Sequence, residues 1–333
     1  MSKVFKIIGR TTGIILEWLL IAFFILAFVI RTSTFQTYLA SAATTYLSSE
    51  LNAKIHMDKV DILFFDRAAL NGVYLEDQQK DTLALINSLV VNIDLLDLSK
   101  QIFTLDKVQL KGGTIKINRS KNTGIYNYAF LEDYFSSEST SEPKPFNFNI
   151  NRVELSDIRF NYDDNRKKQY SNGIDWNHLA ISNLSLKATD FKVNLTDFKT
   201  NVVELKLKEK SGFTINQLAA SLVINDKGIL LGDLDICTNQ SDISASKFNL
   251  LYSKQTDFED FENKVKFDAN ILQSSIALEE IAFFTSETQG MSDFVRLEGN
   301  ISNTVNQLTL TDFRLGFGKV SKIEGDFVLP NFS

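Results

Sequence analysis

Hydrophobic and polar positions divide this chain into two regimes. Over residues 14–30, sixteen of seventeen positions are apolar, and only Glu17 interrupts them. As a helix rising ~1.5 Å per residue this run covers ~26 Å, close to the ~30 Å hydrocarbon core of a bilayer. Lys3, Lys6 and Arg10 precede it. The positive-inside rule therefore predicts a cytoplasmic basic tail over 1–12, one transmembrane anchor over 13–31, and the rest of the chain on the far side. Glu17 can reach the headgroups from one turn inside, and Trp18 has the depth of an interfacial aromatic. A cleaved signal peptide also begins with basic residues, but its apolar core spans only ~7–15 residues with a small-residue site close behind. Here the nearest small pair, Ala40 and Ala42, lies well beyond the run, which favours the anchor.

Residues 32–52 read as an amphipathic helix. Phe35, Tyr38, Leu39, Ala42, Tyr46 and Leu47 recur in steps of three and four, with Ser33 or Thr34 as cap. Such a helix is expected to pack on the first strands. The alternative, a helix lying in the membrane interface, lacks the usual basic flank. From Lys54 onward the period falls to two, as at Ile55 and Met57, Val60 and Ile62, Val108 and Leu110, Ile115 and Ile117, and from Val202 to Leu207. Alternation of this kind marks strands with one buried and one wet face. Asn, Asp and Gly separate the strands at short intervals, as in all-β architectures. Short helical turns are expected around 95–101 and 128–135, and the Ser-, Glu- and Pro-rich stretch near 136–145 reads as a mobile surface loop.

One frame recurs. Val153, Leu155, Ile158 and Phe160 are separated by two, three and two, with Ser156 and Asp157 in the wide gap. The same frame holds Leu179, Ile181, Leu184 and Leu186 around Ser182 and Asn183, and Ile229, Leu231, Leu234 and Ile236 around Gly232 and Asp233. It returns at Leu308, Leu310, Phe313 and Leu315 around Thr311 and Asp312, and at Ala68, Leu70, Val73 and Leu75 around Asn71 and Gly72. Apolar spacing alone would recur ~12 times by chance, but the polar pair in the gap lowers the expectation to about one. A bulge or tight bend at the step of three would keep both halves on one buried face.

Composition narrows the function classes. With 333 residues, 44% of them hydrophobic, a large core is possible. The net charge is −6, and no basic block follows the first ten residues, which argues against a nucleic-acid partner. Cys237 is the only cysteine, so the fold relies on burial rather than an intrachain disulfide. The 27 phenylalanines fit either an aromatic core or an apolar surface that solvates something other than protein. His56 and His178 stand far apart without cysteine partners, and no phosphate loop, dinucleotide motif or nucleophile elbow is present. No catalytic, metal or cofactor residues are therefore expected, and an enzyme is the least favoured class. The acidic groups at Asp163 and Asp164 and over 257–262 read as solvated loop charges.

The ordered series of basic start, single anchor, amphipathic helix and first strands carries a resemblance. It includes Lys54 to Ile62, Leu70 to Leu75, Glu76 to Leu83, Val90 to Asp94, and Val108 and Leu110 followed by Ile115 to Arg119. Over residues 1 to about 135 the chain resembles the N-terminal region of the TamB family (translocation and assembly module subunit) in its Bacteroidetes-like form, within the wider AsmA-like group. Members are much longer and end in a domain not found here, so the resemblance implies a fragment of a longer protein. It implies an elongated, curled β-sheet, a β-taco or groove with an apolar interior, occupying 53–333 in the periplasm. It further implies a single-pass bacterial inner-membrane protein that moves phospholipids toward the outer membrane. The alternative role it implies is a scaffold for outer-membrane protein translocation and assembly with a barrel partner, and outer-membrane biogenesis and protein secretion are the processes concerned.

Alternating strands would supply one apolar face for acyl chains. About 25 strands stacked at ~4.8 Å would reach on the order of 120 Å, and sheets that large normally curl. The candidate lipid-groove residues are Val108, Leu110, Ile115, Ile117, Val153, Leu155, Ile158 and Phe160, each of which could equally fill an ordinary closed core. An anchored sensor or adhesin ectodomain is a weaker third class.

Overall fold

The computed structural model describes residues 21, 24–25, 28–30, 32–63, 66–97, 102–137, 147–194, 197–318 and 320–330. Of the expected anchor, only Ile21, Phe24, Ile25, Phe28, Val29 and Ile30 are among them, all helical. No helix of the described residues is long and apolar enough to cross a membrane. The tail over 1–12 and most of 13–31 lie outside the described residues.

Helix α1 (Ser33–Leu51) follows and packs on β1 (Ile55–His56) and β2 (Lys59–Leu63). Its cap is Thr32 rather than Ser33 or Thr34: the Thr32 hydroxyl accepts from the Phe35 N–H at 3.3 Å. The buried stripe also differs from the sequence expectation. Gln36, Ala40 and Leu51 are buried, whereas Tyr38 and Tyr46 are exposed and Ala42 faces outward too. Phe35, Leu39 and Leu47 of the expected face are half-buried, so the helix turns Gln36 and Ala40 inward and the rings of Tyr38 and Tyr46 outward. Asn52 in the left-handed region ends the helix by donating its N–H to the last-turn carbonyls.

Most of the remaining described chain is strand. The strands are β3 (Arg67–Glu76), β4 (Thr82–Asp97), β5 (Ile102–Arg119), β6 (Asn147–Asp164), β7 (His178–Val193), β8 (Phe198–Glu209), β9 (Thr214–Asn225), β10 (Gly228–Thr238), β11 (Asp242–Leu251), β12 (Lys266–Ala277), β13 (Phe294–Asn303), β14 (Gln307–Phe317) and β15 (Ser321–Pro330). All fifteen belong to one sheet that curls without closing. From β3 to β15 each strand pairs with its sequence neighbour, and β1 and β2 both pair with β3. Pairing is antiparallel except between β5 and β6, which run parallel from Ile102 opposite Asn147 to Arg119 opposite Asp164. Parallel pairing needs a crossover, and α2 (Ala129–Ser137) lies on it. This helix matches the turn expected around 128–135.

Two sequence expectations change here. The turn expected at 95–101 is not helical in its described part, because residues 95–97 continue β4. The sheet also uses fewer, longer strands than about 25, with β5 and β6 each 18 residues long. Stacked at ~4.8 Å, the strands span roughly 60 Å of sheet. The loop expected near 136–145 lies outside the described residues beyond the end of α2.

Candidate apolar face of the sheet

The recurring frame places a bend in each strand that carries it. Gly72, Asp157, Asn183, Asp233 and Asp312 occupy the same position of the five copies, and all have φ between 48° and 62°. Glycine, Asp and Asn tolerate this left-handed geometry best. Register shifts accompany the bend between Leu155 and Ile158, Gly232 and Asp235, and Leu310 and Phe313. Two further bends of this kind occur, at Gly112 (φ 63°) in β5 and at Asp190 (φ 54°), a second one in β7. The second was legible, because Leu186, Ala188, Phe191 and Val193 repeat the frame around Thr189 and Asp190. The first was hidden because Gly113 stands where the frame has an apolar side chain.

Because each bend skips one residue, apolar side chains remain on one face through the whole strand. Cross-strand register then lines them up. Leu89, Leu110, Leu155, Leu186, Leu205, Leu218 and Ile236 are successive partners from β4 to β10. Val91, Val108, Val153, Ala188, Val202 and Ala220 form a second row beside it. A third runs from β9 to β15 through Leu222, Leu231, Phe248, Ala269, Ile301, Leu310 and Phe327.

All eight candidates lie on this face. Val108, Leu110, Ile115 and Ile117 pair directly with Val153, Leu155, Phe160 and Tyr162, and Ile158 stands opposite Gly113. Val153 and Ile158 are buried and the other six are half-buried. Their row positions differ, however. The Ile115–Phe160 row continues to Ile181 and stops at the buried carboxylate Glu209, whereas the Leu110–Leu155 row runs on across the sheet.

Several of the deepest positions on the face are small. Ala188, Ala220, Ala245 and Ala269 are 1–5% exposed, although β6–β11 make their extensive contacts only with neighbouring strands of the same sheet. A single-layer sheet hides alanine this well only when larger neighbours on the same face converge over it, so the sheet curls toward its apolar side. Two clusters result. Ala220, Leu234, Ala245, Ala269 and Ile271 pack with Leu218, Leu231, Phe248 and Ile301, and Ile150, Val153 and Ala188 pack with Leu105, Leu155 and Phe191. Sequence reading stopped its candidates at Phe160 and missed these alanines, whose size carries no hydrophobic signal.

Away from the strand ends, charge lies on the other face. Glu204 receives Lys187 at 2.7 Å and Lys206 at 2.5 Å, and these partners, Lys187 first, hold its carboxyl down to about 2. Glu154 takes Lys107 at 2.8 Å and Gln109 at 2.9 Å, and Arg314 reaches Glu298 at 2.5 Å. Exposed pairs of this kind contribute little stability. Their effect is to keep ionised groups off the apolar rows.

The strand ends at one border hold a buried polar network instead. Asp164 is 3% exposed and bound twice by Arg166, at 2.9 and 2.6 Å, with Arg119 at 3.8 Å. The Arg166 hydrogen bonds hold its carboxyl well below the usual range. Asp164 and Asp257 were expected to be solvated. Both are buried, Asp257 because it caps the turn Gln255–Asp260 by accepting the N–H groups of Ser253 and Lys254. His178 is also buried, with Nδ1 at 3.0 Å from Asp175. No group of three or more His, Cys, Asp or Glu residues that could hold a metal occurs among the described residues. No family model matches the chain, and no curated protein or solved structure matches it.

Proposed function

We propose that this chain is an inner-membrane-anchored periplasmic conduit along which phospholipid acyl chains move toward the outer membrane. The observation that carries the proposal is the continuity of the apolar rows across the strands. From β4 to β15 they provide about 50 Å of uncharged surface perpendicular to the strands. Each methylene exposed to water costs ~0.8 kcal/mol, so an acyl chain leaving a bilayer needs such a surface throughout its path. The unclosed curl leaves one side through which a headgroup can stay in water. At the N-terminal end, exposed Phe24, Ile25 and Phe28 on a helix suit contact with lipid. The TamB-like series supports the same reading from the sequence side.

A photo-crosslinking residue at Leu155 or at Leu218 tests it in cells. Phospholipid adducts at both positions are the expected result, and Leu155→Asp with Phe160→Asp should abolish lipid passage while the protein still accumulates. Absence of lipid adducts, or normal complementation by that double variant, sinks the conduit. One observation favours the scaffold role: β15 pairs only with β14 among the described strands and exposes Ile323 and Val328. An edge of this kind can accept an extended strand. Adducts to unfolded polypeptide rather than to lipid would favour the scaffold.

A further inference from the structure

One border of the sheet carries a patch that the apolar rows do not use. The connection between β6 and β7 is a loop over 165–177 that presents Tyr170 and Trp176 to solvent at 57% and 61% exposure. It is not a loose tip. Asp175, buried beneath it, accepts the N–H of Tyr170 at 2.7 Å and of Asn177 at 3.1 Å, and contacts His178 at 3.0 Å. Gly173 (φ 78°) lies so close to Phe283 that a Cβ would stand 2.4 Å from its carbonyl oxygen, and that carbonyl accepts the Ile174 N–H at 2.8 Å.

The segment after α3 (Leu278–Ile281) therefore runs along the strand ends and locks onto this loop. Phe213 fills the junction, 5.6 Å from Phe283 and 5.2 Å from Phe284 between ring centroids. Phe284 remains 54% exposed, 6.3 Å from Trp176. The junction is a braced platform that holds three large rings in water.

Charge around the platform is uneven. The one carboxylate within the loop, Asp175, is buried and already bonded, as is Asp164 at the end of β6, bound to Arg166. Lys167 and Lys168 stand exposed beside Tyr170. On the facing segment Glu279 is tied to Gln240 at 3.2 Å, and Glu287 is exposed. The loop itself thus offers two ammonium groups and two amphipathic rings with no exposed carboxylate. Trp and Tyr settle at the headgroup level of a bilayer, and lysine beside them adds attraction to anionic lipid.

We propose that this platform docks on the headgroup region of an anionic phospholipid bilayer, through Tyr170, Trp176 and Phe284 with Lys167 and Lys168. The contact needs no lipid to travel along the apolar face, so it stands or falls separately from the conduit. The chain contains two tryptophans, and Trp18→Phe leaves Trp176 as the only one, so selective tryptophan excitation reports on it alone. The full chain carrying that change is placed in nanodiscs, with brominated phospholipid in the disc and in added vesicles of phosphatidylcholine with or without phosphatidylglycerol. The expected result is a blue shift and quenching of Trp176 that depend on phosphatidylglycerol. Lys167→Gln with Lys168→Gln should raise the vesicle concentration for half-saturation roughly 30-fold. Both lysines are exposed loop residues, and an unchanged circular dichroism spectrum establishes that the variant folds. Unchanged emission with every lipid, equal binding by the double variant, or a response to a polyglutamate peptide but not to vesicles would each overturn the proposal.

Discussion

Asp157 shows how much one residue decides in this molecule. It is exposed and has φ 54°, yet its conformation keeps Val153 and Leu155 on the same face as Ile158 and Phe160. Ile158, the neighbour it aims inward, is 1% exposed. Asp157→Val puts a β-branched side chain into left-handed geometry and should destabilise the protein by ~1–3 kcal/mol. Asp157→Gly should change stability far less, since glycine occupies that region freely. Urea unfolding of the two variants separates backbone strain from loss of the side chain. Asp164 makes a different residue-scale prediction. Its carboxyl pKa is depressed in the folded state by Arg166, so the stabilisation it contributes is present above the ordinary Asp value of ~3.9 and fades as pH falls below it. Asp164→Asn should therefore be less stable than the parent at neutral pH, and the gap should narrow under acid. Unfolding curves at several pH values measure it, and a gap that widens in acid would contradict the assignment.

At the scale of elements, some of the bends face one another across the ladder. Gly112 lies between partners of Ser156 and Ile158, and Asp312 stands beside Gly299, where a Cβ would come within 2.7 Å of the Phe313 backbone. Facing bends turn neighbouring strands together, whereas Asp233 bends β10 between β9 and β11, which carry no left-handed residue. The alanines lie inside the curl. Ala245 is 1% exposed at the centre of the larger cluster, so Ala245→Leu should overpack the concave side and cost ~1–3 kcal/mol. Thermal unfolding measures that loss, and a neutral result would mean that the face is more open than its burial indicates. The strands, the crossover helix and five of the bends were legible in sequence because each rests on a local period. The buried face of α1 was not, since it centres on Gln36 and Ala40, which carry little hydrophobic signal. The burial of Asp164, Asp257 and His178 was also hidden, because each has partners supplied by a loop that must first be folded.

At the scale of the whole molecule, the separation of charge from apolar surface follows from alternation. Residues one apart point to opposite faces, so a chain written with period two sorts Lys187 and Glu204 from Leu186 and Leu205 with no help from distant contacts. The sequence by itself therefore determined a mostly β protein, the existence of one apolar face, the eight residues on it from β5 and β6, and a bend at each copy of the recurring frame. Tertiary structure alone decided that some of the bends face one another, that the leucine row crosses seven strands while the Ile115 row ends at Glu209, and that the sheet curls toward its alanines. It also decided that the segment after α3 reaches back to Gly173 and braces an aromatic platform. The division has a physical cause. Which face a side chain takes is set within a few residues of its own strand, but register, curl and edge contacts depend on partners tens of residues away, whose spacing no local pattern encodes.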